Sequence, residues 1–163
     1  MTEAWGYPQA FFFRTITMDI FTDEYFMKMA LAEAEDALME GEVPIGAVVV
    51  AGDRVIARGH NRTQALNDVT AHAEMEVITA ATNRLGAKYL NECTLYVTVE
   101  PCVMCAGAIA WAQLGTLVYA APDPKRGYTT LGTPVLHPKT TVRSGVLADR
   151  SEKMMKDFFA KKR

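Results

Sequence analysis

Two short clusters, His72-Ala73-Glu74 and Pro101-Cys102-Val103-Met104-Cys105, limit what this chain can fold into more than any other feature. Two cysteines at C-x-x-C spacing can grip one Zn2+ from a single helical turn, and His72 can complete a set of three protein ligands. Both clusters stand at junctions leading into helices, where free backbone N–H groups and the helix dipole favour thiolate over thiol. Three ligands leave the fourth position of a tetrahedral ion open, as catalytic rather than structural zinc requires. A water bound there is acidified to a pKa of about 7, which makes hydroxide available at neutral pH. Glu74, two residues from His72, can reach that water without being a ligand. One carboxylate so placed can carry protons to a heteroaromatic ring nitrogen and to a departing amine. A redox role for Cys102 and Cys105 leaves His72 and Glu74 without a purpose. Cys93 has no partner at useful spacing and is read as a small buried hydrophobe.

The surrounding pattern is a mixed α/β one. From Thr22, a cap candidate, apolar residues recur at helical spacing through Leu38 until Gly41. Val43 to Val50 and Val55 to Gly59, joined by Gly52-Asp53, predict a hairpin. A polar loop covers His60 to Thr70. A second helix is predicted from Ala71 to about Arg84 before Gly86, a strand over Thr94–Val99, and a third helix from Pro101 to Gln113. The apolar run Ala106–Ala112 reads as buried. A strand over Thr116–Ala120 follows, and a C-terminal amphipathic helix over Ala148–Arg163 is expected to dock Met154, Met155, Phe158 and Phe159 on the sheet. Helices alternating with strands after a hairpin give one mixed sheet covered on both sides, a three-layer α/β/α domain. Between Ala121 and Thr140 stand four prolines and two glycines without periodicity, a long connection of the kind that serves as a binding loop.

At 163 residues and 50% hydrophobic content, the chain has the size and composition of one globular domain. Three cysteines do not make a disulfide framework. The Phe11-Phe12-Phe13 region lacks the basic start and cleavage site of a secretory signal, so a cytoplasmic protein is expected. Residues 1–20 are read as an N-terminal extension, those before Met18 being expected to be dispensable for folding. Residues 21–163 form the domain. The net charge of −2 argues at first against a polyanionic partner. It is, however, the cancellation of −8 over residues 1–120 (7 basic, 15 acidic) and +6 over residues 121–163 (10 basic, 4 acidic). Such asymmetry points to nucleic acid.

The H-x-E and P-C-x-x-C clusters match the signature of the zinc nucleobase deaminases. More specifically, the chain resembles the bacterial tRNA adenosine deaminases of the cytidine-deaminase superfamily. The resemblance rests on Glu42-Val43-Pro44-Ile45-Gly46-Ala47-Val48, Asn61-Arg62, Thr70-Ala71-His72-Ala73-Glu74, the run from Thr94 to Ala108, and Asp157-Phe158-Phe159. It implies a cytidine-deaminase-like fold with a mixed five-stranded sheet flanked by helices, a homodimer, and conversion of the wobble adenosine of a tRNA anticodon loop to inosine. It further implies that His72, Cys102 and Cys105 hold one Zn2+ per subunit, that zinc-bound hydroxide attacks the base, and that Glu74 shuttles the proton. On the same basis Asn61 bonds the purine ring, the Ala73 amide holds the base edge, and Asp123 approaches the sugar.

Several stretches depart from that pattern. Asp68-Val69-Thr70 stands where the family has Asp-Pro-Thr, Lys125 to Val142 lacks its usual loop segments, and Ala110-Trp111-Ala112-Gln113 is closer to free guanine deaminases. Deamination of a free base or nucleoside, guanine or cytosine, is therefore the alternative substrate class. A non-catalytic, zinc-stabilised RNA-binding module is the alternative outside enzymology.

Overall fold

The structure, a computed structural model, describes residues 19–163. The stretch before Met18 and most of the 1–20 extension lie outside the described residues. Helix α1 spans Asp23–Met39, and the hydroxyl of Thr22 caps it by accepting from the Tyr25 N–H at 3.2 Å. Gly41, at φ +76°, then takes the left-handed turn that ends the helix. Strands β1 (Gly46–Ala51) and β2 (Arg54–His60) form the hairpin. Helix α2 (Ala73–Leu85), β3 (Cys93–Val99), α3 (Val103–Trp111), β4 (Thr116–Ala121), β5 (Thr141–Ser144) and α4 (Ala148–Ala160) follow. The five strands lie in the order β2-β1-β3-β4-β5. β1 runs antiparallel to both its neighbours, whereas β3, β4 and β5 are parallel.

Strand alternation explains why both faces are covered. Ala47, Val49, Leu95, Val97, Leu117 and Tyr119 point to one side, where they pack with Val77 of α2 and Ile109 of α3. The intervening Val48, Val50, Tyr96, Val118 and Ala120 point to the other, against Phe26, Met27, Ala30 and Leu31 of α1 and Met154 of α4. The result is the expected three-layer sandwich. Because β3 and β4 are parallel, their C-terminal ends share one edge, and the segments leaving them, Glu100-Pro101-Cys102 and Pro122-Asp123, lie together beyond that edge.

The differences from the expected elements are local. β1 begins at Gly46 rather than Val43, because Pro44 lacks an N–H for the ladder. Pro101 lies before α3, which is capped by Cys102, and Gln113 lies beyond it with φ +51°. Trp111 is 86% exposed, so α3 is buried on one side only. Phe158 docks as expected but Phe159 points to solvent. The residue pattern does not show β5, whose four residues Thr141–Ser144 are all exposed. It is an edge strand too short and too polar to alternate.

His60, at the end of β2, joins the hairpin to α1 through Glu33 and Glu40, each 3.1 Å from a ring nitrogen. Burial lowers the imidazole pKa, but the two carboxylates more than offset this and hold it above the ordinary value of 6.5. A raised folded pKa stabilises the fold fully below the unfolded value, and that contribution is lost as pH rises through the folded one. His60→Gln is therefore expected to lower Tm by about 3 °C or less at pH 6, as suits a partly solvated pair. Thermal unfolding at pH 6 and pH 9 checks this, with a smaller loss expected at pH 9. An equal loss at both values contradicts it.

Candidate active site

Three elements converge at one point. His72 is the N-cap of α2, Cys102 is the N-cap of α3, and Cys105 lies in the first turn of α3. His72 Nδ1 is 3.6 Å from Cys102 Sγ and 3.5 Å from Cys105 Sγ. All three donor atoms lie within 4.8 Å of one another. Sulfur ligands at about 2.3 Å and a nitrogen at about 2.05 Å around a tetrahedral ion sit near 3.6 Å apart, so the separations fit shared ligation of one borderline-soft ion.

The site's electrostatics suit such an ion. The Cys105 thiol and the His72 imidazole both donate to Cys102, which pulls the Cys102 thiol down to about 4 despite its burial. Cys105 is pushed upward by Cys102, by burial and by Glu74. The His72 pKa is raised, chiefly by its bond to Cys102. Metal binding needs both sulfurs as thiolates, so metal uptake displaces any proton that the pair still carries.

Glu74, in the first turn of α2, is 4% exposed and stands outside the ligand set. Burial pushes its carboxyl up to about 7, against the lowering effect of its own backbone N–H. Such a group near neutrality can both accept and give a proton. The Ala73 side chain is fully buried, and its N–H belongs to the first turn of α2, where no carbonyl of the helix can accept it.

Two loops wall the site. The first begins at Asn61, which is 5% exposed, and is tied to the start of α2 by the Arg62 N–H bonded to Ala71 O at 2.9 Å. Asn61 Nδ2 donates to Glu42 Oε2 at 3.1 Å. The second loop leaves β4 at Ala121 and leans on the Cys102 segment. Gly127 pairs with Cys102, and the Tyr128 N–H donates to Pro101 O at 2.9 Å. Asp123 lies in this loop, and its carboxylate turns back on the Lys125 and Arg126 N–H groups, each at 3.0 Å. In this structure Asp123 is a turn former.

Two buried glutamates, Glu42 and Glu100, hold these loops, and the sequence reading assigned neither a role. Glu100 accepts from the Asp123 N–H at 3.0 Å and from the N–H and hydroxyl of Thr129 at 3.0 and 2.6 Å. An isolated acid has no spacing to give it away. The available signal was a charged residue directly after the apolar strand Cys93–Val99 and before Pro101. Gly127 packs so closely on the Glu100 carboxylate that a Cβ there would overlap it. Gly127→Ala is expected to cost about 1–3 kcal/mol, as overpacking does, measured by denaturant unfolding of the metal-loaded protein. Unchanged stability contradicts the clamp.

Comparisons with known proteins place the chain among the deaminases. The MafB19-like deaminase family matches residues 21–163. A tRNA-specific adenosine deaminase of Agrobacterium fabrum is 48% identical over 144 residues, covering 85% of this chain and 95% of that one. A solved tRNA:A34 deaminase, studied for A-to-I editing at the wobble position of transfer RNA, superposes with a TM-score of 0.75 at 47% identity, covering 80% of this chain and 98% of that one. A guanine deaminase from Nitrosomonas europaea superposes with a TM-score of 0.73 at 25% identity, covering 85% of each chain.

Proposed function

Given that the chain belongs to the tRNA-specific adenosine deaminases, we propose that its site converts the wobble adenosine of a tRNA anticodon loop to inosine, with zinc held by His72, Cys102 and Cys105. The observation that carries this reading is the convergence of one imidazole and two cysteine sulfurs at 3.5 and 3.6 Å, beside a buried carboxyl that is not part of the ligand set.

When bound, the ion supplies acidified water in the position that three protein ligands leave open. The chain's own groups do the remaining work. Glu74 would take one proton from that water and give it to the purine ring nitrogen as the hydroxyl adds to C6, then take the proton of the new hydroxyl and give it to the C6 amino group, which would leave as ammonia. Burial keeps its carboxyl near neutrality for both steps. The Ala73 N–H and Asn61 hold the base, and the two loops close around it. The base must enter unpaired and splayed from its stack, as an anticodon loop permits. The Asp123 carboxylate is occupied by its turn, so a contact with the sugar requires the turn to open.

The basic C-terminal quarter suits an RNA substrate. Within it, Arg143, Arg150, Lys153 and Lys156 are paired with Asp23, Glu35, Asp157 and Glu152. Lys125, Arg126, Lys139, Lys161 and Arg163 have no acidic partner among the described residues and are exposed. They are the set that would meet phosphates.

A homodimer and a cytoplasmic location belong to the same proposal. In support of the dimer, Val103, Gly107 and Trp111 recur every fourth residue along α3, with Val103 and Trp111 exposed and open space beside Gly107. A second copy on this stripe would lie beside the helix that carries both cysteines.

The experiment is digestion of total tRNA after incubation with the zinc-loaded protein, followed by mass spectrometry for inosine. Inosine at the first anticodon position is expected. Ammonia release from free guanine or cytosine with no change in tRNA would overturn the reading.

A further inference from the structure

We propose that Glu42 is a positioning residue that fixes which way the Asn61 amide faces, an inference that rests on Asn61 touching the base. Glu42 is 1% exposed, in the segment between α1 and β1. Its Oε1 accepts from the Gln64 and Ala65 N–H groups, both at 2.8 Å. Its Oε2 accepts from Asn61 Nδ2 at 3.1 Å and from the Thr63 hydroxyl at 3.3 Å. Every partner is a donor. A carboxylate can only accept, so Asn61 must turn its NH2 inward and its carbonyl Oδ1 away from Glu42. The main chain holds the pair in place, since the Asn61 N–H is bonded to Ile45 O at 3.0 Å.

The size-matched substitution Glu42→Gln reverses this arrangement. The two backbone N–H groups cannot rotate, so the glutamine oxygen stays with them and its NH2 faces Asn61. Asn61 then has to flip, presenting NH2 where it presented Oδ1. The reciprocal exchange, Glu42→Gln with Asn61→Asp, keeps one carboxylate and one amide. It restores both the inner hydrogen bond and an outward oxygen acceptor. Asn61→Asp alone sets two carboxylates against each other.

The test is kcat/KM on an anticodon stem-loop RNA for wild type, E42Q, N61D, N61A and the E42Q/N61D double variant, with zinc content and Tm measured for each. E42Q and N61D are each expected to lose about 10-fold to 100-fold, the usual cost of a mispaired buried polar group. The double variant is expected to recover to within about 5-fold of wild type, a coupling of the kind that residues in contact show. If E42Q does not fold, recovery of folding and turnover in the double variant supports the pairing equally. A double variant whose loss is the product of the single losses overturns the proposal. N61A as active as wild type overturns it by removing the base contact, and a wild type inert on RNA indicates failure of the substrate reading instead.

Discussion

Replacing Glu74 with alanine is expected to lower turnover of the RNA substrate by about 10³-fold to 10⁴-fold, the upper range for loss of a positioned proton-transfer group. The same variant should bind zinc as wild type does, because Glu74 stands outside the three-atom ligand cluster. The metal-free fold should be no less stable at neutral pH. A buried carboxyl whose pKa is raised to about 7 is ionised above that value at a cost to the folded state, and alanine removes the cost. Single-turnover inosine formation, metal analysis and thermal unfolding on one preparation check the three statements together. A variant that keeps its rate removes Glu74 from the chemistry.

Cys102→Ala is expected to act the other way round, abolishing activity by emptying the site. Cys102 caps α3 and is the group that His72 and Cys105 both donate to, so its loss leaves two donors that face each other without a shared acceptor. Zinc bound by wild type stabilises the folded state, by an amount that grows with the logarithm of its affinity, so the variant should lose metal and Tm together. Added zinc should raise the Tm of wild type but not that of the variant. Stoichiometric zinc at unchanged affinity in Cys102→Ala refutes the ligand set.

The parts of the molecule legible in the sequence are those whose signal is local. The N-cap Thr22, the hairpin around Gly52-Asp53, and the H-x-E and C-x-x-C clusters at the starts of two helices depend on spacing within a few residues, and each lies close to where it was expected. Strand β5 was hidden because Thr141–Ser144 buries nothing, and its place in the sheet depends on pairing with β4. Trp111 was misread because composition gives an apolar run no direction, whereas α3 packs through Cys105, Ala106 and Ile109 and leaves the opposite side open. Glu42 and Glu100 lay within the stretches that carry the family resemblance, yet their function arises only when loops distant in sequence close over them. The basic C-terminal quarter was visible as a charge sum, but which cations are free depended on tertiary ion pairs such as Arg143 with Asp23, 2.7 Å apart.

The central claim is that this site deaminates an adenosine presented by RNA. The most direct measurement gives the zinc-loaded protein, in excess, an anticodon stem-loop carrying adenosine at its first anticodon position and, in parallel, free adenosine, guanine and cytosine. Inosine replacing that one nucleotide in the stem-loop, with the free compounds unchanged, is the expected result. Ammonia released from a free base while the stem-loop adenosine stays intact would contradict it.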